Sequence, residues 1–485
     1  MLFNSLHFLV FFPLVAALYF GVPRRGRGPL LLAASYYFYL SWKPAYGLLL
    51  AATTLLDYYS GVRMSRLATK AQRRPWLLLS LASNLGTLFV FKYFNFFREA
   101  AAELAAALHL PFGVPLLALV LPVGVSFYTF QSVAYIVDVY QGRLAAEQHL
   151  GRFALFVAFF PQLVAGPIER GAQMLPQLRR APSFDYGRAA SGLRLMAWGM
   201  FKKVVIADRL AGFVNPVFDH PQAANSLALL LAVLGFTGQI YADFSGYTDL
   251  ARGAARVLGY NLVLNFRQPY FAASVGDFWR RWHISLSSWF RDYVYIPLGG
   301  SRRGPARTQL NVLVVFLLSG LWHGASWTFV VWGALHGTYL VFESITGPLR
   351  AAGARRLALD QHPRLLRGLG TAAMLALVAY AWLFFRANSL PDAFYISSQL
   401  FRGWGQLTLT DAFDTLDSFF LRNPYEPAIT LAALGLLLAV DLHLEYPAPW
   451  GRPGPVLRWT GYGALLLVIV FFGVFSSTQF IYFQF

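Results

Sequence analysis

Apolar stretches recur along the whole chain and alternate with shorter polar segments. A helix needs about 20 apolar residues to cross a membrane, and shorter stretches are typical of re-entrant or interfacial helices. The pattern therefore predicts an all-α, polytopic membrane bundle with about 10–12 transmembrane helices plus re-entrant or interfacial ones. The stretches centre on residues 6–22, 29–42, 45–60, 76–97, 114–137, 153–168, 191–212, 226–244, 309–323, 325–345, 370–386, 428–444 and 461–478.

The polar interruptions are short for a chain of 485 residues. No tandem repeat, low-complexity tract or inverted half-repeat is visible, and an inverted repeat would have favoured a secondary transporter. We therefore expect one membrane domain over residues 1–485. The longest interruptions are about 170–190, 262–308, 346–368 and 387–427.

The composition supports lipid contact over much of the surface. Hydrophobic residues make up 57% of the chain and charged residues 13%, whereas soluble domains have about 25% charged residues. The net charge of +18 comes from short basic clusters between apolar runs. That distribution is typical of membrane topology rather than nucleic-acid binding. The chain has no cysteine, which excludes disulfides, a thiolate metal site and a cysteine nucleophile.

The basic clusters also predict an orientation. Arginines at 24, 25 and 27 follow the first apolar stretch, and a second basic cluster occupies 63–74. The positive-inside rule places both clusters in the cytoplasm and the N-terminus outside. Because residues 1–20 lack a charged leading region and a clear cleavage site, we interpret them as a retained membrane helix rather than a signal peptide.

The segment FWRRWHISLSSWFRDY, residues 278–293, alternates charged and aromatic positions. If it is helical, Trp279 and His283 share one face, as do Trp282 and Trp289. Its charged side chains cannot all face lipid. Two interpretations stay open: a helix that lines a funnel or interface, or an amphipathic surface helix without a role in binding.

Residues 310–342 contain no Asp, Glu, Lys or Arg, yet they contain two histidines. Gly320 and Gly324 flank His323, so another backbone or a substrate can approach it closely. An ionisable residue at membrane depth is a functional candidate, although a neutral histidine hydrogen-bonded between helices is an equal alternative. For His336 the structural alternative is favoured. Being 13 residues apart in the sequence, the two histidines would not share a helix face, and no metal site is expected.

Several other chemistries find no support. The chain has no GxSxG elbow between a strand and a helix, no GK[ST] phosphate loop and no HExxH zinc motif. A histidine acting as a general base in a dry site remains, taking a proton from a hydroxyl that attacks an acyl thioester. We expect Asp243 and Asp249 to pair with arginines in the bundle.

Long motifs carry a family resemblance: residues 278–304 and 319–337, with FFPQLVAGPIERG at 159–171, FSGYTDLARG at 244–253 and the terminal FIYFQF. They resemble the membrane-bound O-acyltransferase family, and within it the bacterial branch that acetylates alginate, with relatives acting on peptidoglycan and cellulose. The resemblance implies helices around a central tunnel in the inner membrane. It also implies His323 as the catalytic histidine and His283 as the second functional histidine.

The resemblance further implies an O-acetyltransferase without a tightly bound cofactor. Acetyl-CoA or another cytoplasmic acyl thioester would be the donor. Periplasmic or membrane-anchored acetyltransferase partner proteins would place the acetyl group on an exported polysaccharide, with alginate favoured. A transporter or flippase for a lipid-linked sugar and a lipid-directed acyltransferase stay as alternatives. The candidate donor-binding residues are Trp279, Arg280, Arg281, Trp282, Arg302, Arg303 and Trp322.

Overall fold

A computed structural model describes residues 1–402, 404–419, 425–447, 454–475 and 480–481. These residues form helices and loops, with no β-strand among them. The last four residues of the FIYFQF motif, and the end of the stretch predicted at 461–478, lie outside the described residues.

Most of the first ten helices are joined by short connections, and the connection between the fifth and the sixth, residues 108–124, is longer. These helices are α1 (Leu6–Gly21), α2 (Arg24–Leu40), α3 (Ala45–Ser65), α4 (Lys70–Leu88), α5 (Phe94–Ala107), α6 (Val125–Gln141), α7 (Leu150–Ala158), α8 (Phe160–Leu163), α9 (Gly171–Leu178) and α10 (Tyr186–Met200). A π-helical segment, Phe89–Tyr93, joins α4 to α5, and another, Phe201–Ala207, follows α10.

The remaining helices include the two that carry the predicted histidines. They are α11 (Asp208–Asp219), α12 (Ser226–Leu258), α13 (Val275–Arg281), α14 (Ile284–Phe290), α15 (Pro305–His323), α16 (Trp327–Arg356), α17 (Pro363–Arg386), α18 (Leu390–Gln399), α19 (Leu409–Phe419), α20 (Glu426–Glu445) and α21 (Pro455–Phe472). A π-helical segment, Arg291–Tyr295, follows α14. Single 3₁₀ turns occupy Pro221–Ala223, Pro269–Phe271, Leu359–Gln361 and Trp404–Gln406.

Five helical stretches in the described part of the chain are long and apolar enough to cross a membrane. Large apolar side chains on them face outward: Phe471 on α21 is 74% exposed. A soluble protein rarely exposes such a face, so it indicates lipid contact. The predicted all-α polytopic membrane fold is confirmed, while the total of about 10–12 spans stays a prediction. The five stretches are Lys70–Ala107, Ser226–Leu258, Pro363–Arg386, Ala428–Glu445 and Pro455–Phe472.

One predicted stretch is only partly helical. The apolar stretch at 114–137 forms a helix from Val125 onward, and the residues before it have an irregular conformation. Pro115 and Pro122 explain the difference, because proline lacks the N–H that a helix interior needs.

The chain divides into two compact units, residues 1–196 with 247–263, and residues 197–246 with 264–485. The prediction of one membrane domain is not tested by this division and stays a prediction. In the first unit, α3 and α4 are joined by a buried polar contact. Asp57 accepts hydrogen bonds from Ser80 Oγ at 2.6 Å and from Asn84 Nδ2 at 2.8 Å.

The second unit contains both predicted histidines and has an aromatic core. Trp332 on α16 and Trp382 on α17 are fully buried and stack with ring centroids 5.7 Å apart. Trp282, which is 1% exposed, lies 5.1 Å from Trp382. Stacked and edge-to-face rings add attraction beyond the area they bury. This core fixes α16 and α17 around the histidine-bearing end of α15.

Candidate active site

The α15–α16 hairpin places His323 at a helix end. The helix stops there because Gly324 takes an extended conformation with φ −157°. Ser326 then starts α16 by accepting a hydrogen bond from the backbone N–H of Thr328 at 3.3 Å. His323 is therefore the last residue of one helix, three residues before the cap of the next.

Glycines allow the two helices of this hairpin to touch at backbone distance. The Cα atoms are so close that a Cβ on Gly320 would lie 2.2 Å from the carbonyl oxygen of Phe329. A Cβ on Gly333 would lie 2.3 Å from the carbonyl oxygen of Phe316. This confirms the prediction that glycine beside His323 permits close backbone approach.

Aromatic rings surround the imidazole of His323, which is 5% exposed. The ring centroids of Trp322 and Trp332 each lie 4.9 Å from it, and that of Phe385 lies 5.2 Å away. All three contacts are edge-to-face, with interplanar angles of 70° to 82°. The ring is thus held in one orientation in a water-poor environment.

His283 lies in a break between two short helices. The condition that residues 278–293 form one helix is not met: α13 ends at Arg281, and His283 has a left-handed backbone with φ 43°. Asn265 explains why the chain turns here. Its backbone carbonyl accepts from the N–H of Ile284 at 3.0 Å, and its Oδ1 accepts from the N–H of Ser285 at 3.2 Å. A positive φ is uncommon in residues other than glycine, histidine included. Where it occurs, it is often at a functional site.

The break brings His283 towards the end of α15. His283 is fully buried, 4.7 Å from the ring of Phe244 and 6.1 Å from the ring of Trp322. Trp322 therefore contacts both predicted histidines. His283 lies outside the five candidate spans, and burial lowers its pKa to about 3, so its imidazole is neutral at physiological pH.

His336 contacts the same aromatic cluster as His323. It is fully buried on α16, and its ring lies 4.9 Å from Trp332, the residue that also contacts His323. The indole Nε1–H of Trp279 donates a hydrogen bond to its Nδ1 at 3.2 Å. His336 thus orients Trp279, which fits the structural role that the sequence favours for it.

A cavity of about 360 Å³ lies beside these residues. It is bounded by α13, α14, the π-helical segment at Arg291–Tyr295, α15 and α16, and Trp279 and Arg280 both line it. Ser319 on its wall precedes His323 by one helical turn, and Ile284 on its wall follows His283 directly. Neither His283 nor His323 is itself part of the lining, so the cavity does not reach either ring.

The predicted donor-binding residues divide into two groups. Arg280 is 73% exposed at its side chain and lines the cavity. Arg281 instead forms ion pairs with Asp277 at 3.0 Å and with Glu445 at 2.7 Å, which hold α13 against α20. Trp282 lies in the aromatic core rather than at the cavity.

The remaining candidates lie elsewhere. Arg302 and Arg303 are exposed in the turn before α15 and do not line the cavity. Trp322 is 4% exposed between the two histidines. Direct donor contact therefore stays a prediction, with geometric support for Trp279 and Arg280.

Residues 147–356, which include all three histidines of the site, match the family described as MBOAT, membrane-bound O-acyltransferase family. A protein of Azotobacter vinelandii named probable alginate O-acetylase AlgI is 41% identical over 418 residues, covering 85% of this chain and 80% of that protein. The chain belongs to the membrane-bound O-acyltransferase family. It is an acyltransferase and a multi-pass membrane protein.

Two further relatives show how widely the family extends. A peptidoglycan O-acetyltransferase of Helicobacter pylori is 32% identical over 529 residues, covering 100% of this chain and 98% of that protein. A teichoic acid D-alanyltransferase of Bacillus subtilis is 28% identical over 228 residues, covering 45% of this chain and 57% of that protein. The three names share transfer of an acyl group, acetyl or D-alanyl, and they refer to alginate, peptidoglycan and teichoic acid.

The acyltransferase also contains a buried charge cluster that the sequence reasoning assigned incorrectly. Asp243 was expected to pair with an arginine, but its partner is Lys203, whose Nζ lies 2.7 Å from Asp243 Oδ1 and 2.8 Å from Asp208 Oδ1. Asp249 does pair with an arginine, Arg252, at 3.3 Å. Lys203 lies in the predicted stretch at 191–212, and a charge inside an apolar run was the signal that could have identified it.

Asn265 is a second residue that the sequence reasoning missed. The acyltransferase uses it to start α14 and so to place His283, yet no spacing rule distinguishes it from any other loop asparagine. Phe244 and Phe385, which contact the two histidines, come from α12 and α17. Such partners are distant in the sequence, and hydrophobic periodicity indicates only that they face inward.

Proposed function

We propose that this acyltransferase transfers an acetyl group from a cytoplasmic acyl thioester, such as acetyl-CoA, towards hydroxyls of an exported polysaccharide, with alginate as the polymer. The observation that carries the proposal is His323, fixed among three aromatic rings at a helix end beside a cavity of about 360 Å³. The relative named probable alginate O-acetylase AlgI, at 41% identity, supports the choice of polymer.

In the proposed chemistry His323 is the general base. Its neutral imidazole takes the proton from a hydroxyl of a partner protein, the first acceptor in this proposal, while that oxygen attacks the thioester carbonyl carbon. The new C–O ester bond forms, the C–S bond breaks, and the imidazolium returns the proton to the leaving thiolate. The low-dielectric aromatic surroundings favour the neutral base before the reaction.

The other residues take supporting roles in this proposal. His283 orients the donor or the acceptor, or serves as a second base, because Trp322 connects its ring to that of His323. The cavity accommodates the acyl thioester, with Arg280 attracting an anionic donor at its rim. The wall between the cavity and His323 opens when the thioester reaches the imidazole.

The acetyl group is passed across the bacterial inner membrane. Periplasmic or membrane-anchored partner proteins then complete the transfer to the polysaccharide. A second acceptor, peptidoglycan, is favoured by the Helicobacter pylori relative, whose match covers 100% of this chain. Assays of O-acetyl groups on alginate and on peptidoglycan in cells with and without the protein separate the two acceptors.

The decisive experiment replaces His323. His323→Ala is expected to abolish transfer of radiolabelled acetyl from an acyl thioester in the reconstituted system, while the protein level in the membrane stays unchanged. His362→Ala is the matched control, because His362 is exposed in the α16–α17 loop. Retained transfer in His323→Ala would remove this residue from the chemistry.

The same system separates the alternative functions. Donors with longer acyl chains are expected to be poor substrates, and efficient transfer from them would favour a lipid-directed acyltransferase. Movement of a lipid-linked sugar in the absence of any acyl donor would favour a flippase.

A further inference from the structure

A second cavity, of about 750 Å³, lies beside the first turns of α17, away from both predicted histidines. Part of its lining is basic or polar and comes from Arg364, Arg367 and Tyr446. Part of its apolar wall comes from Phe271 and Leu375. The cavity therefore joins a basic, hydrogen-bonding region to a hydrophobic surface. Its remaining lining residues are Pro363, Gly368, Thr371 and Ala372.

This cavity lies where two membrane helices end. The candidate span Pro363–Arg386 begins beside the arginines, and the candidate span Ala428–Glu445 finishes at Glu445. Arg367 Nη2 donates to Glu445 Oε1 at 2.7 Å, so the start of one span lies against the end of the other. Both helices leave the hydrocarbon layer at this level, which is the depth of lipid headgroups.

Arg367 is held in place rather than freely rotating. The guanidinium of Arg367 lies over the ring of Tyr446, 5.1 Å from its centroid, and is fixed by Glu445 on the other side. Glu445 also accepts from Arg281 at 2.7 Å. Because Arg281 also pairs with Asp277, the two carboxylates balance the two guanidinium groups, and the positive charge in excess comes from exposed Arg364, about one turn earlier on α17.

The surrounding sequence places this positive charge at the cytoplasmic face. The helix ends on both sides of the short α16–α17 connection are rich in arginine, with residues 350, 355 and 356 near the end of α16 and residues 364 and 367 near the start of α17. Short basic connections of this kind lie in the cytoplasm. The cytoplasmic leaflet is the one that carries anionic phospholipids.

We propose that this cavity binds an anionic phospholipid of the cytoplasmic leaflet. The phosphate accepts hydrogen bonds from Arg364 and Arg367, and an acyl chain lies along Phe271, Ala372 and Leu375. A soluble phosphate would use the arginines but not the apolar wall, which continues along a helix long enough to span the membrane. Because Glu445 connects Arg367 to Arg281 on α13, the bound lipid also stabilises the helix that carries Trp279.

The test measures lipid binding directly and does not depend on acyl transfer. The full-length protein is purified and reconstituted in nanodiscs of phosphatidylcholine with increasing phosphatidylglycerol. Spin-labelled phosphatidylglycerol is expected to be retained several-fold more strongly than spin-labelled phosphatidylcholine, and phosphatidylglycerol is expected to raise Tm.

Two substitutions at the cavity and one matched control make the test specific. Arg364→Gln removes an exposed charge from the headgroup region, and Leu375→Trp fills the acyl region while both arginines remain. Both are expected to reduce the phosphatidylglycerol preference several-fold. Arg356→Gln removes an exposed arginine at the end of α16, outside the cavity, and it is expected to leave the preference unchanged.

Three outcomes would overturn the proposal. An equal loss of the phosphatidylglycerol preference in Arg364→Gln and Arg356→Gln would mean that only general surface charge attracts the lipid. A preference that persists in Leu375→Trp would mean that no acyl chain enters the cavity. An equal rise of Tm with soluble glycerol phosphate in phosphatidylcholine nanodiscs would identify a phosphate site instead of a lipid site.

Discussion

The close crossing of α15 and α16 provides the sharpest structural prediction. Gly333→Ala adds one methyl group to α16 at the point where this helix meets α15. That methyl group would lie 2.3 Å from the carbonyl oxygen of Phe316, whereas ordinary contacts to a Cβ begin at 3.4 Å. The obstacle is backbone rather than a flexible side chain, so the helices have to separate by about 1 Å.

The expected magnitude follows from two opposing terms. Overpacking a well-filled helix contact typically destabilises a protein by about 1–3 kcal/mol. Replacing glycine by alanine inside a helix stabilises it by about 1 kcal/mol through helix propensity. Gly353→Ala isolates this second term, because Gly353 lies on the same helix with no neighbouring atom within 4 Å of the added methyl group.

The assay compares the free energy of unfolding of the two variants in the same detergent. Gly333→Ala is expected to be about 1–3 kcal/mol less stable than Gly353→Ala, since helix propensity cancels between them. Acyl transfer is expected to fall in Gly333→Ala alone, because a displacement of about 1 Å at a reacting group can reduce a rate about 100-fold.

Equal stability and equal transfer rates in the two variants would contradict this reasoning. They would mean that α15 and α16 are not in backbone contact at Gly333. The position of His323 at the end of α15 would then need another explanation.

Three further substitutions test other parts of the structure. Lys203→Met leaves Asp243 buried without its counter-charge and is expected to lower the free energy of unfolding by about 3–5 kcal/mol. Adding Asp243→Asn is expected to restore part of that stability, and no recovery would contradict the ion pair. His336→Phe removes the hydrogen-bond acceptor of the Trp279 indole and is expected to raise KM more than it lowers kcat. Steady-state kinetics that compare this variant with His336→Gln would check this. Asp57→Ala leaves the buried hydroxyl of Ser80 on α4 without its acceptor, and thermal unfolding is expected to show a loss of about 1–3 kcal/mol. An unchanged Tm would argue against that contact.

The sequence by itself determined the class of the protein and the identity of its main candidate residue. Long apolar runs with few charges leave no stable alternative to membrane helices, because every backbone polar group in lipid must be satisfied within the helix. His323 could be identified because it lies in a stretch of 33 residues without an acidic or basic side chain other than histidine. Gly320, one helical turn before it, correctly indicated close backbone approach.

Only the tertiary structure decided how the candidates are grouped. Arg280 and Arg281 are neighbours in the sequence and have the same side chain. Arg280 lines the cavity, whereas Arg281 is paired with Glu445, 164 positions away in the chain. His283 contacts Trp322 because a helix breaks at a left-handed residue that Asn265 supports. Periodicity determines which face of a helix is buried, but the partner of a buried group depends on which distant helix packs there, and that is set by the three-dimensional fit of side chains.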